Sequence, residues 1–256
     1  MDLGLQGKVA LVTASSAGIG FACAKALAAE GAAVCLSSRS EENLKSAADK
    51  LRVATGAERI VTVACDMREA GQIAALCEAV RTQLGPPDIL INNTGGPKPG
   101  GFFDLNLEDW EEGYRLLVAS TVKLYNELIP SMRARRWGRI VNITSTSSRQ
   151  PIAGLTLSNS FRPGILGLAK TVADEVGRDG VLLATIMPGI TMTARMKELS
   201  EGREGGIIER LSKKVPLGRA ADPDELGAVA AFLCSEKASF VTGSAIAVDG
   251  GFLRTL

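Results

Sequence analysis

Seven short runs of apolar, often β-branched residues recur along this chain: KVALVTA at 8–14, AAVCLSS at 32–38, RIVTVACD at 59–66, DILINNT at 88–94, RIVNITS at 139–145, VLLATIM at 181–187 and SAIAVDG at 244–250. Their hydrophobicity is nearly continuous, which predicts strands buried on both faces. Between the runs, apolar residues return at helical spacing. In GIGFACAKALAAEG, Ile19, Ala22, Cys23, Ala26 and Leu27 share one face, and Gly31 supplies a stop. Strand and helix alternate to the end of the chain, so the expected class is α/β, a three-layer, Rossmann-type doubly wound parallel sheet of about seven strands that binds ligands at the carboxyl ends of its strands. One stretch breaks the rhythm. TMTARMKELSEGREGGIIERLSKKVPLGR, residues 191–219, is polar and glycine-containing, and is expected to form a lid-like insertion over a site. No linker, repeat or low-complexity tract interrupts residues 1–256, which are expected to form a single domain.

Composition narrows the function by exclusion. Lysine plus arginine total 29 against 28 aspartate plus glutamate, so no basic field exists to gather nucleic acid or anionic lipid, and a small-molecule substrate fits better. The start, MDLGLQGKVALVT, lacks the features of a secretion signal, and no apolar run approaches a bilayer span; the expected address is the cytoplasm. Cys23, Cys35, Cys65, Cys77 and Cys234 show no metal or redox spacing and read as reduced core residues; no metal site is expected. The chain has no histidine, so acid and base chemistry must use other groups.

The first run leads straight into TASSAGIG at 13–20, which opens a helix. Glycines between a first strand and a first helix let a backbone approach a pyrophosphate, and the helix start offers it unpaired N–H groups. Thr13, Ser15, Ser16, Gly18, Ile19 and Gly20 are therefore candidate dinucleotide contacts. At the end of the second run, LSSRSEENL places Ser38 where NAD users usually carry an acid, followed by Arg39. A cation there suits a 2′-phosphate, which favours NADP(H) over NAD(H).

With NNTGG at 92–96, MPGITMT at 187–193 and TGSAIAVDGG at 242–251, the chain resembles the short-chain dehydrogenase/reductase family over essentially its whole length. The glycine pattern is altered, with Ala14 at the family's first glycine and Thr94 in place of an alanine. The resemblance implies that Asp66 and Met67 meet the adenine, that Asn93, Thr94 and Gly95 meet the adenosine-side ribose, that Pro188, Gly189 and Ile190 line the nicotinamide, and that the protein is a homo-oligomer, a tetramer or dimer. A homology-based label would read 3-oxoacyl-[acyl-carrier-protein] reductase-like.

The family's catalytic positions are where the resemblance weakens. Counting back from Lys170 in GLAKTVA puts Ser158 at the family's tyrosine and Arg162 at its lysine; Ser145 then matches the serine, and Leu117 stands at the asparagine. An aliphatic hydroxyl is far more basic than a phenol, so Ser158 is a poor proton donor, while Arg162 can still hold ribose hydroxyls as a cofactor contact. Pro163 suggests that the helix starts at Ser160, leaving Ser158 just outside it. Tyr114 and Tyr125 are expected in core or subunit packing. Ser145, Ser158 and Arg162 are the candidate catalytic residues of an atypical site. Three readings follow: an NADP(H)-dependent oxidoreductase acting on a carbonyl or enoyl small molecule, with water, Ser145 or the substrate as proton source; a cofactor-binding sensor or partner subunit without turnover; and a non-redox reaction such as an elimination. Phe102, Phe103 and segments 146–157 and 191–219 are expected to wall an apolar substrate pocket.

Overall fold

The computed structural model describes residues 1–193, 196 and 207–255. Each of the seven apolar runs coincides with a strand, β5 starting one residue before its run and β6 ending one residue after its own: β1 (Val9–Val12), β2 (Ala33–Ser38), β3 (Ile60–Ala64), β4 (Ile89–Asn92), β5 (Gly138–Ile143), β6 (Val181–Pro188) and β7 (Ser244–Val248). They form one parallel sheet in the order β3-β2-β1-β4-β5-β6-β7. The chain winds outward from β1 in one direction and from β4 in the other, so a crevice opens above the carboxyl ends of these two strands.

The helices are α1 (Gly18–Ala29), α2 (Glu41–Thr55), α3 (Ala70–Gln83), α4 (Leu107–Tyr114), α5 (Ser120–Ala134), α6 (Thr156–Val176), α7 (Ile207–Ser212) and α8 (Pro223–Cys234). Leu27 of α1, Leu44 and Leu51 of α2 and Ala230 of α8 pack with Val12, Leu36 and Ile91 on one face of the sheet. Leu76 of α3, Leu124 and Leu128 of α5 and Val176 of α6 pack with Leu11, Leu90 and Leu183 on the other. Each such buried leucine contributes roughly 1.5–3 kcal/mol of transfer free energy, which is why successive residues of the inner strands are all apolar. Every residue of β1, β4 and β5 is buried, as their patterns require. The two edges depart from the expectation of burial on both faces. In β3, Thr62 and Ala64 are exposed, and in β7 none of the five residues is buried. An edge strand has only one neighbour and its flanking helices cover it incompletely.

The start of α6 also differs from the sequence expectation. It begins at Thr156, so Ser158 lies inside the first turn and is buried, and Pro163 stands within the helix. Proline in that position forfeits a backbone bond and costs about 3 kcal/mol in an isolated helix. The early start is fixed by contacts distant in sequence. Gly100 bridges Leu155, and its carbonyl takes the N–H of Thr156 (3.2 Å) while its own N–H goes to Gly154 (2.7 Å). Asn159 closes the same loop by bonding both the N–H (3.0 Å) and the carbonyl (2.9 Å) of Ile152.

Much of the expected insertion at 191–219 lies outside the described residues. Its described ends are tied to the fold: Thr191 bridges Ala221, and the Leu217 N–H bonds the Gly250 carbonyl (3.3 Å).

Candidate active site

The turn after β1 carries strained backbone at Ala14, which stands at the family's first glycine and adopts a left-handed φ of 46°; Gly18 takes its own left-handed φ of 60° at no such cost. A Cβ on Gly20 would come within 2.4 Å of the Ala14 carbonyl oxygen and 2.8 Å of Asn93 Nδ2, so the missing side chain of Gly20 serves helix-to-strand packing within the protein. Left-handed backbone costs alanine about 1–2 kcal/mol, partly offset by the greater chain entropy of glycine when unfolded. Ala14→Gly should therefore stabilise the chain by about 0.5–1 kcal/mol, read as a higher urea midpoint with unchanged slope; a lower midpoint would contradict the strain.

Above the ends of β1, β2, β3 and β4 lies a cavity of about 530 Å³. Of the residues singled out from sequence, Ser16, Ser38, Arg39, Asp66, Met67 and Gly95 line it. Thr13 and Ser15 turn inward instead. Thr13 Oγ1 donates to the Asn93 carbonyl (2.6 Å), and Ser15 Oγ donates to the Val12 carbonyl (2.7 Å) while accepting from Ser37 N (2.9 Å). Asn93 Nδ2 holds the Ala14 carbonyl (3.3 Å), so these three shape the turn through the protein's own bonds.

The cavity's charges are mostly paired. Arg68 grips Asp66 through Nη2 (2.6 Å) and Nε (3.1 Å), holding that carboxyl below its ordinary range, and reaches Glu112 at 3.6 Å; Lys98 bonds Asp109 at 2.8 Å. Arg39 is exposed and makes no ion pair among the described residues. Beside it, Ser38 Oγ is buried without a partner, and Ser40 caps α2 by accepting from Asn43 N (3.2 Å). A Cβ on Gly95 would meet nothing within 4 Å. The volume, the unpaired hydroxyl, the cation and the helix start fit the adenosine half of a nicotinamide dinucleotide.

The second group of residues meets at the ends of β5 and α6. Arg162 is buried with no acidic partner among the described residues; its Nε donates to Ser158 Oγ (3.1 Å) and its Nη1 to the Ile143 carbonyl (3.3 Å). Burial brings its pKa down to about 10, so it remains a cation at neutral pH. Ser158 Oγ also lies 2.9 Å from Ser147 Oγ. Ser145 is half-buried and accepts the Ser147 N–H (3.1 Å). Arg162 and Leu117 line one small cavity of about 10 Å³ with Thr94, and Leu117 sits in a π-helical turn, Arg115–Ala119, between α4 and α5. Gly189 is pressed against Asp249, where a Cβ would come within 2.6 Å of Asp249 Cα, and its N–H bonds the Val248 carbonyl (3.0 Å); Pro188 is the last residue of β6, and the Ile190 carbonyl takes the Ala221 N–H (2.8 Å).

Behind Arg162 lies a buried polar cluster. Asn92 Nδ2 donates to Asn142 Oδ1 (2.8 Å) and Thr121 Oγ1 (2.9 Å), Thr121 donates to the Leu117 carbonyl (2.7 Å), and Tyr125 donates to Asn142 Oδ1 (3.0 Å). Burial pushes the Tyr125 phenol above its ordinary range, which makes it a bonding group of the core. Tyr114 is half-exposed with its ring against Phe161.

Arg68, Asn142 and Thr121 were not singled out from sequence, and Asn92 and Ser147 entered only within NNTGG and the 146–157 wall. Only strand register carried a signal: Asn92 and Asn142 pair across β4 and β5, and polar residues at a paired position inside two apolar strands point to a shared hydrogen bond.

Residues 13–253 match the family model described as enoyl-(acyl carrier protein) reductase. A 3-oxoacyl-[acyl-carrier-protein] reductase of Aquifex aeolicus is 34% identical over 98% of this chain and 99% of its own length. The L-sorbose reductase of Gluconobacter frateurii, solved with NADPH and L-sorbose, superposes with a TM-score of 0.95 at 36% identity, covering 100% of both chains. An NADPH-bound short-chain oxidoreductase of Pseudomonas aeruginosa, described as containing an atypical catalytic centre, gives 0.91 at 30% identity over 98% of this chain and 99% of that one.

Proposed function

Because the chain belongs to the short-chain dehydrogenase/reductase family, we propose that it is an NADP(H)-dependent oxidoreductase that reduces a carbonyl or enoyl group of a small, largely apolar molecule and uses Ser158, polarised by Arg162, where the family uses a phenol. The observation that carries this reading is the buried guanidinium, without an acidic partner among the described residues, donating to a buried hydroxyl. Burying a cation without a counter-charge is costly, and a fold that keeps one beside a hydroxyl gains from it when negative charge develops there. Bound NADPH supplies the hydride. Ser158 then supplies the proton: it cannot rival a phenol as an acid toward a neutral ketone, but the oxygen of a carbonyl that has taken up hydride is an alkoxide at least as basic as serine's own, so the transfer is not uphill. Arg162 lowers the cost further by favouring the anionic form of Ser158 and offers its remaining N–H groups to ribose hydroxyls. Ser145, at the next turn of chain, would polarise the substrate oxygen.

Arg39, with Ser38 and the start of α2, supports NADP(H) over NAD(H). Phe102 and Phe103, 63% and 97% exposed, support an apolar wall at the substrate side or an oligomer contact, as do Leu107 and Phe240 for a dimer or tetramer. In this reading the whole chain is one cofactor-binding domain, and its five free thiols suit the reducing cytoplasm.

The pH profile tests the assignment. The protonated form of Arg162 is the working one, so kcat should stay flat between about pH 6 and 9 and fall as pH rises through about 10, where burial has placed that guanidinium. A limb between pH 6 and 8 would assign the proton to another group.

A further inference from the structure

We propose that Ser147, which no sequence motif marks, is a positioning residue of the proton-donating group, stabilising Ser158 in the deprotonated state it passes through. The inference rests on the reading of Ser158 as proton donor. Ser147 is 2% exposed and Ser158 6%, and their hydroxyl oxygens are 2.9 Å apart. In the resting protein either one can donate to the other, because two hydroxyls share one bond. Once Ser158 has lost its proton the ambiguity vanishes. Its oxygen is then acceptor only, and Ser147 O–H and Arg162 Nε–H, at 2.9 and 3.1 Å, both point charge-assisted bonds at it. The pair forms a two-donor hole for an oxyanion, and its stabilisation grows as the charge appears, which is the condition for lowering a barrier.

The backbone fixes Ser147 for this. Ser145 Oγ accepts its N–H at 3.1 Å and caps the short 3₁₀ turn Thr146–Ser148, which follows directly from the end of β5. Ser147 has no other side-chain partner among the described residues, so its hydroxyl is committed to Ser158.

Hydride from the reduced nicotinamide nucleotide forms the new C–H bond, the carbonyl π pair moves to oxygen, and that oxygen takes the Ser158 proton. Ser158 becomes the alkoxide, held by Ser147 and Arg162, and regains a proton from water when the alcohol leaves. The nucleotide ends oxidised and the ketone reduced.

The test compares the wild-type chain with Ser147→Ala and Ser147→Thr, using NADPH with a panel of ketones and 3-oxoacyl thioesters, together with NADPH affinity by fluorescence. The alanine variant should lose about 10- to 100-fold in kcat with KM and NADPH affinity changed less than about twofold, and threonine, which keeps the hydroxyl, should restore most of the loss. Unchanged kcat in Ser147→Ala, or a loss of NADPH affinity as large as the loss of rate, overturns the role of Ser147 and leaves the reading of Ser158 standing. A wild-type chain that binds NADPH and reduces nothing overturns that reading itself. If Ser147→Ala does not fold, Ser147→Cys, of similar size but a weaker donor, must show the same selective loss of kcat, and an undiminished kcat in it refutes the proposal.

Discussion

Replacing Arg162 with methionine should produce a chain that is more stable and catalytically dead. Arg162 is 8% exposed, has no acidic partner among the described residues, and is held at a pKa of about 10 by desolvation. Methionine keeps much of the apolar stem and removes the buried charge. The Ile143 carbonyl loses one hydrogen bond, worth about 1 kcal/mol, whereas buried charges replaced by apolar groups of similar volume commonly give 1–4 kcal/mol back. A net gain of about 1–3 kcal/mol is expected in urea unfolding. Turnover should fall by at least about a thousandfold, because Ser158 loses both its polarising donor and the neighbouring charge. A variant that is less stable and still active would place the guanidinium in a purely structural role.

The second large effect concerns the nucleotide. Arg39→Ala should weaken NADPH by about 10- to 100-fold, the worth of a charge-assisted contact to phosphate, and leave NADH within about twofold. The asymmetry is expected because the other basic groups around the cavity, Arg68 and Lys98, are already engaged by Asp66, Glu112 and Asp109. Equal losses for the two nucleotides would refute the phosphate assignment.

Residues that act through local chemistry were legible in the sequence, and residues that act through distant contacts were not. The strands were readable because a parallel strand covered on both faces must be apolar at successive positions, as in β1 and β4; the signal failed at Thr62 and Ala64, where an edge strand is covered on one side. The glycine turn was legible as a turn between the first strand and first helix, but part of the reason for Gly20, the approach of Asn93 beside that of the Ala14 carbonyl, belongs to a contact 73 residues away in the chain. Pro163 misdirected the start of α6 because proline's local preference for a first turn was outweighed by the Gly100–Leu155 bridge and the two bonds of Asn159. Ser158 and Arg162 were found by spacing. Ser147 was not, since a serine in STSS carries no pattern until the fold sets its hydroxyl 2.9 Å from Ser158. Asp66 was named as an adenine contact only through the resemblance, and the Arg68 grip that holds its carboxyl below the ordinary range depends on a rotamer that no periodicity encodes.

In the proposed reaction a serine polarised by a buried arginine completes a hydride reduction in this fold. Its most direct measurement is the stoichiometry of NADPH oxidised to alcohol or saturated product formed, across ketones, 3-oxoacyl thioesters and enoyl compounds, for the wild-type chain and for Ser158→Ala. One-to-one turnover with at least one of these classes, lost in the Ser158→Ala variant while NADPH still binds, is the predicted result. Tight NADPH binding without oxidation of any substrate, or turnover undiminished by Ser158→Ala, would contradict it.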